Sequence, residues 1–149
     1  MAKADAEGQA RKAKASELAR ELERTRSFLG ALAGGLRREG SLYEQVEPKL
    51  RFENTLTACK ALILAESLWR PLVLHIEDAH SLDADSETFV KMLTRNVEAY
   101  PFTVLLTSRY RDDGSRYTLG VDPDVPQSAI DLNQLSPDGI RAMAGQVLS

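Results

Sequence analysis

The sequence predicts an α/β fold, in which an N-terminal helical segment precedes a parallel sheet of two or three strands with helices. Two short apolar runs, PLVLHI at 71–76 and YPFTVLLTS at 100–108, are typical of strands buried on both faces. An amphipathic stretch at 84–98 separates them. Strand, helix and strand within this length form a βαβ crossover, so we expect parallel strands and a right-handed connection.

The chain divides into three predicted parts. Residues 1–15 lack apolar periodicity and are expected to be disordered. Residues 16–48 are expected to form an amphipathic helical segment, with a helix at 16–38 and then a break that holds at most a short helical turn. Residues 49–149 are expected to form the α/β part.

The predicted helix at 16–38 carries a heptad-like stripe on one face. The stripe consists of Leu18, Leu22, Thr25, Leu29, Leu32 and Leu36. It spans fewer than the roughly three to four heptads that identify a coiled coil. The stripe therefore predicts a helix that packs on the rest of the chain.

Local signals set the remaining elements. A second helix is predicted from about Leu50 to Leu68, and Pro71 ends it because the residue before a proline avoids the helical conformation. Asp83 or Asp85 is expected to cap the helix at 84–98. The sequence SAIDL at 128–132 predicts a third, weaker strand, and a last helix is expected to begin at 136–138.

Composition narrows the class of function. The chain has 149 residues, 43% of them hydrophobic, which is enough for one domain with one core. A net charge of -3 argues against nucleic-acid binding, and the longest apolar runs are too short to cross a membrane. The lone Cys59 excludes an intrachain disulfide and lies on the apolar side of its helix. These features predict a cytoplasmic protein in which Cys59 is a core residue.

Polar side chains follow both predicted strands. Glu77 and Asp78 end the first strand, and Thr107, Ser108 and Arg109 end the second. Adjacent parallel strands bring these ends to the same edge of a sheet, where α/β proteins bind ligands. An acid pair can hold a hydrated Mg²⁺, and a hydroxyl with a guanidinium can bind a terminal phosphate. Alternatively, the acids cap the following helix and the arginine is an ordinary surface residue.

The stretch at 70–113 resembles the Walker B and sensor 1 segment of STAND-type P-loop ATPases. These AAA+-related modules occur beside bacterial nucleotide cyclases, protein kinases and transcription regulators. The resemblance covers roughly residues 50–149. The acid, acid, histidine and final aspartate positions of the pattern fall on Glu77, Asp78, His80 and Asp83.

The resemblance implies a fold, cofactors and residue roles. The fold is part of a three-layer P-loop NTPase sheet, and the cofactors are ATP and Mg²⁺. Glu77 takes the Mg²⁺ position and Asp78 the water-polarising position. Arg109 takes the position of the γ-phosphate sensor, with Thr107 in support.

Three substitutions depart from the family pattern. Glu77 stands where aspartate is usual, Ser81 replaces a tryptophan, and His75 interrupts an apolar strand. A larger departure concerns the phosphate-binding loop, G-x-x-x-x-G-K-[S/T]. Its nearest match, GALAGGLR at 30–37, has Leu36 in place of lysine and Arg37 in place of serine or threonine. The sequence therefore has no P-loop.

Two functions are consistent with these features. In the first, the chain is a fragment or degenerate relative of a regulatory ATPase module that uses ATP binding as a signalling switch. Alone it is expected to be inactive, its partners are other domains of a larger signalling protein, and an unpaired strand edge favours self-association. In the second, it is a non-catalytic interaction module whose leucine-striped helix docks a protein partner.

Overall fold

A computed structural model describes residues 2–34, 39–132, 137, 138 and 141, with side chains from residue 5 onward. The fold is mixed α/β: N-terminal helices precede a two-stranded parallel sheet with an intervening helix, which confirms the predicted class. The elements are α1 (Ala2–Leu32), α2 (Leu42–Gln45), α3 (Pro48–Trp69), β1 (Leu72–Ile76), a 3-10 helix (Ala79–Ser81), α4 (Ala84–Leu93) and β2 (Phe102–Leu106).

A hydrophobic core lies between α1 and α3. Its buried cluster consists of Leu18, Ala61, Leu64 and Leu68, with Leu22, Ala65, Val97 and Tyr100 packed against it. The predicted packing of the amphipathic helix on the rest of the chain is therefore confirmed. The stripe turns away from the core towards its end, where Leu32 is exposed and Phe28 is fully buried instead. This rotation follows from the mismatch between a heptad repeat and the 3.6-residue turn of a straight helix.

Residues 2–15 differ from the prediction. The structure places them in α1, which corrects the expected disorder of this segment. Alanine and lysine favour helix, and two side chains attach this part of α1 to distant backbone. Arg11 donates to the carbonyl oxygen of Leu68, and Lys14 Nζ donates to that of Ala99 at 3.2 Å.

Two prolines, Pro48 and Pro71, determine where helix α3 begins and ends. Pro48 occupies the first turn, where a missing backbone N–H leaves no helical hydrogen bond unmade. Arg70, which precedes Pro71, has the extended conformation and stops the helix. The predicted second helix is confirmed, with its start at Pro48 instead of Leu50. The short turn expected between the helices is α2.

The two strands form the predicted parallel pair. The register aligns Leu72 with Phe102 and Ile76 with Leu106. The prediction that both strand faces are buried is wrong, because Val73 and Leu105 are exposed on alternate positions. An apolar run predicts a strand, but it does not determine whether another layer covers each face of the sheet.

The third strand predicted at 128–132 is wrong. The described sheet has two strands, and residues 128–132 form no regular element. Ile130 and Leu132 are exposed, so no apolar burial favours a strand here. Between them, the Asp131 carboxylate accepts hydrogen bonds from Tyr110 and Arg116, which hold the segment by its side chain.

The crossover helix α4 ends five residues earlier than the predicted range of 84–98. Asn96 has a left-handed conformation, with φ of 55°, that breaks the helical path. Lys60 Nζ donates to the carbonyl oxygens of Met92 at 2.8 Å and Arg95 at 2.6 Å. This cation satisfies carbonyl groups at the negative end of the helix.

The predicted last helix lies largely outside the described residues. Its described residues, Pro137, Asp138 and Arg141, are helical. No helix in the described part of the chain is long and apolar enough to span a membrane.

Candidate functional site

The structure brings the two predicted site segments together at the carboxyl edge of the sheet. Thr107 N donates to the Ile76 carbonyl oxygen at 3.0 Å, and Ala79 N donates to the Thr107 carbonyl oxygen at 2.9 Å. These bonds extend the strand pairing beyond β1 and β2. Glu77 and Asp78 therefore lie beside Thr107, as the parallel register requires.

Glu77 and Asp78 project into solvent. Their side chains are 78% and 80% exposed. Asp78 adopts the left-handed conformation, with φ of 50° and ψ of 43°, which aspartate tolerates better than most residues. In the described chain, the only basic side chains within 4.0 Å of these two carboxylates are histidines, which form an ion pair only when protonated. His75 Nδ1 lies 3.9 Å from Glu77 Oε1, and His80 Nδ1 lies 3.9 Å from Asp78 Oδ1. The acids are therefore not neutralised by a lysine or arginine of the described chain.

The acid pair suits Mg²⁺ better than a tightly caged metal. No group of three or more His, Cys, Asp or Glu side chains suited to a metal occurs among the described residues. Mg²⁺ keeps several water ligands and commonly uses one or two carboxylates together with substrate phosphates. Two exposed adjacent acids are compatible with that mode of binding.

Helix capping is performed by a different acid. Asp83 Oδ1 accepts a hydrogen bond from Ser86 N at 2.8 Å, and this bond lowers the pKa of the Asp83 carboxyl. Asp78 precedes the 3-10 helix but makes no side-chain cap bond. The acid that caps the following helix is therefore Asp83, and Asp78 has no side-chain capping role.

Arg109 contacts His80 across the sheet edge. Arg109 Nε donates to His80 Nε2 at 2.8 Å. Among the described residues, neither Nη group of Arg109 has a hydrogen-bond or ion-pair partner. Both residues lie in the stretch that resembles the Walker B and sensor 1 segment, but no local sequence pattern encodes a contact between residues 29 positions apart.

The remaining polar groups of the second segment are also accessible. Thr107 and Ser108 are exposed, and their hydroxyls make no hydrogen bond within the described chain. The arrangement thus presents two acids, two hydroxyls and a guanidinium at one edge. Carboxylates are common ligands of Mg²⁺, and guanidinium groups commonly bind phosphate.

The loop after the site is attached to the crossover region. Tyr117 Oη donates to Glu87 Oε1 at 3.1 Å, and Arg95 Nε donates to Asp122 Oδ2 at 2.8 Å. The Lys91 ammonium and then the Tyr117 hydroxyl lower the pKa of the Glu87 carboxyl. These contacts hold the chain that follows Arg109 against α4 and the turn after it. No local sequence pattern predicts them.

The segment nearest in sequence to a P-loop does not form one in its described part. Residues 30–32 are the end of α1, where backbone amides serve the helix. Gly34 has φ of 85° in the turn that follows, and residues 35–37 lie outside the described chain. Amides committed to a helix interior cannot cradle phosphates.

Cys59 has the surroundings expected of a structural thiol. It is partly buried, and burial raises its pKa. A raised pKa reduces the thiolate fraction that nucleophilic chemistry needs.

No protein-family model, no curated protein and no solved structure matches this chain.

Proposed function

We propose that this chain carries the Walker B and sensor 1 half of an ATP site of the STAND type, as a fragment or degenerate relative of a regulatory ATPase module. The observation that best supports this is the shared sheet edge. Parallel pairing places Glu77 and Asp78 beside the segment of Thr107 and Arg109. This is the edge at which open α/β sheets bind ligands.

Each residue has a distinct role in this proposal. Mg²⁺ would supply charge neutralisation at the phosphates, and the Glu77 carboxylate would hold it. The Asp78 carboxylate would orient and polarise a water molecule. The Nη groups of Arg109 would bind the γ-phosphate, and the Thr107 hydroxyl would support it.

The same proposal limits the activity of this chain. Much of the phosphate affinity in P-loop proteins comes from loop amides and a lysine, and this sequence contains no such motif. We therefore expect weak Mg·ATP binding and no measurable turnover. The switch would operate in a larger signalling protein whose other domains are the partners. A strand and P-loop encoded directly upstream of Met1 would favour a fragment over a degenerate relative.

Nucleotide titrations followed by ¹⁵N–¹H NMR test the proposal, because they detect millimolar binding. Mg·ATP should shift the backbone amides of 77–80 and 107–109 more than Mg·ADP does. Arg109→Ala should weaken Mg·ATP binding about tenfold, the value of a lost charge-assisted hydrogen bond, and leave Mg·ADP binding nearly unchanged. Arg111→Ala is the matched control and should leave both unchanged. Equal shifts with the two nucleotides, or shifts elsewhere, would contradict the γ-phosphate role.

A second candidate is the non-catalytic interaction module, which the exposed sheet face favours. Val73 and Leu105 are exposed there. The leucine-striped helix is a poor docking surface, since Leu18 and Leu22 pack within the chain. A partner, or a second copy through self-association, would instead use the sheet.

Light scattering at increasing protein concentration tests whether the exposed sheet face binds a second copy of the chain or a different partner. Self-association through the sheet should produce dimers that Val73→Lys abolishes. Glu53→Lys, at an exposed site on α3, is the control. A monomer at every concentration would exclude self-association.

A further inference from the structure

We infer that His80 is a positioning residue for Arg109: its imidazole holds the guanidinium by Nε, so that both Nη groups remain available for the terminal phosphate. The inference rests on the proposed function and extends it by giving His80 a role. The observation behind it is the 2.8 Å bond from Arg109 Nε to His80 Nε2.

The hydrogen-bond acceptor of Arg109 is an imidazole and not a carboxylate. A carboxylate at this position would neutralise the guanidinium and compete with a phosphate for it. An imidazole that accepts at Nε2 is neutral and carries its proton on Nδ1. It therefore orients Arg109 without cancelling the positive charge that an anion needs.

His80 is well suited to act as a fixed acceptor. Its side chain is only 16% exposed. Its backbone lies in the 3-10 helix, where Ser81 N donates to the Asp78 carbonyl oxygen at 2.7 Å. The preceding Ala79 is fully buried and is bonded through its N–H to Thr107. The acceptor is thus held by the same backbone that joins the two strand ends.

The other imidazole nitrogen connects this pair to the acids. His80 Nδ1 is buried and has no hydrogen-bond partner in the described chain. The Asp78 Oδ1 atom lies 3.9 Å away, which is beyond hydrogen-bond distance. A small rotation of the exposed Asp78 side chain would complete a series Asp78–His80–Arg109. His80 would then fix the acid and the guanidinium relative to each other.

The test measures phosphate binding by Arg109 directly. Sodium triphosphate is titrated into ¹⁵N-labelled protein, and the Arg109 Nε–Hε signal is followed, with Arg109→Lys used to assign it. His80→Leu removes the acceptor and His80→Gln retains one. His80→Asn, whose side chain is shorter, provides a second loss of the acceptor if the leucine variant does not fold. His75→Gln is the matched control, because His75 lies on the same sheet but makes no hydrogen bond to Arg109.

The outcomes separate the two proposals. We expect His80→Leu or His80→Asn to shift the Arg109 signal without triphosphate and to weaken triphosphate binding about threefold to tenfold. His80→Gln should restore binding to within about twofold, and His75→Gln should have no effect. Unchanged affinity in the loss-of-acceptor variants, with binding by the wild type intact, would overturn the role of His80 alone. No response of the wild-type Arg109 signal would overturn the phosphate site and this inference with it.

Discussion

The crossover helix α4 provides a quantitative test of the fold, because Leu93→Ala removes a side chain on which its packing depends. Leu93 is 0% exposed. Helix α4 carries the chain from the acid segment to β2. A loss of packing here therefore affects the element that sets the parallel pairing.

The expected loss of stability follows from burial. Truncating a fully buried leucine costs about 2–5 kcal/mol, because both transfer free energy and cavity formation contribute. A chain of 149 residues has an unfolding entropy of about 0.3 kcal/mol/K near its midpoint. A loss of about 3 kcal/mol should thus lower the melting temperature by about 10 °C.

Urea unfolding followed by far-UV circular dichroism measures the change. Leu62→Ala is the matched control, since Leu62 is 50% exposed on α3 and should cost less than about 1 kcal/mol. A Leu93→Ala change below about 1 kcal/mol, or equal to the control, would refute the packed position of α4.

Three further variants or treatments test other parts of the molecule. The double variant Glu77→Gln, Asp78→Asn should leave the melting temperature unchanged or slightly raise it, because adjacent exposed carboxylates repel each other. The wild type should release no phosphate from Mg·ATP in a malachite-green assay. Phosphate release by the wild type that disappears in the double variant would contradict this expectation. Lys60→Met should cost about 1–3 kcal/mol in urea unfolding through loss of the two carbonyl bonds at the end of α4, whereas Lys49→Met, at an exposed site, should be nearly neutral. The Cys59 thiol, whose pKa is raised by burial, should react with a disulfide reagent at pH 8 more slowly than in urea, and equal rates would show that it is exposed.

The sequence was most informative where one local pattern determines the structure. The apolar runs, their separation and the proline positions predicted the parallel pair and the end of α3. The positions of Glu77 and Arg109 after the two strands also placed them at one edge of the sheet, since the crossover makes the strands parallel. These features depend on backbone geometry that each segment encodes for itself.

The remaining features depend on contacts between distant residues. The bond between His80 and Arg109 requires side-chain positions that no spacing specifies. The helix at 2–15 is anchored by Arg11 and Lys14 to backbone far along the chain. The exposure of Val73 likewise depends on whether another layer covers the sheet, and an apolar run alone does not determine this.

Paramagnetic broadening by Mn²⁺, used in place of Mg²⁺, tests whether the sheet edge is a metal–phosphate site. In the presence of ATP, Mn²⁺ should broaden the amide signals of 77–80 and 107–109 before any others, and much less without ATP, because the phosphates supply metal ligands. Glu77→Gln, Asp78→Asn should abolish this broadening. Broadening centred on other acids, such as Asp112 and Asp113, or unaffected by the double variant would show that the edge binds no metal–nucleotide complex.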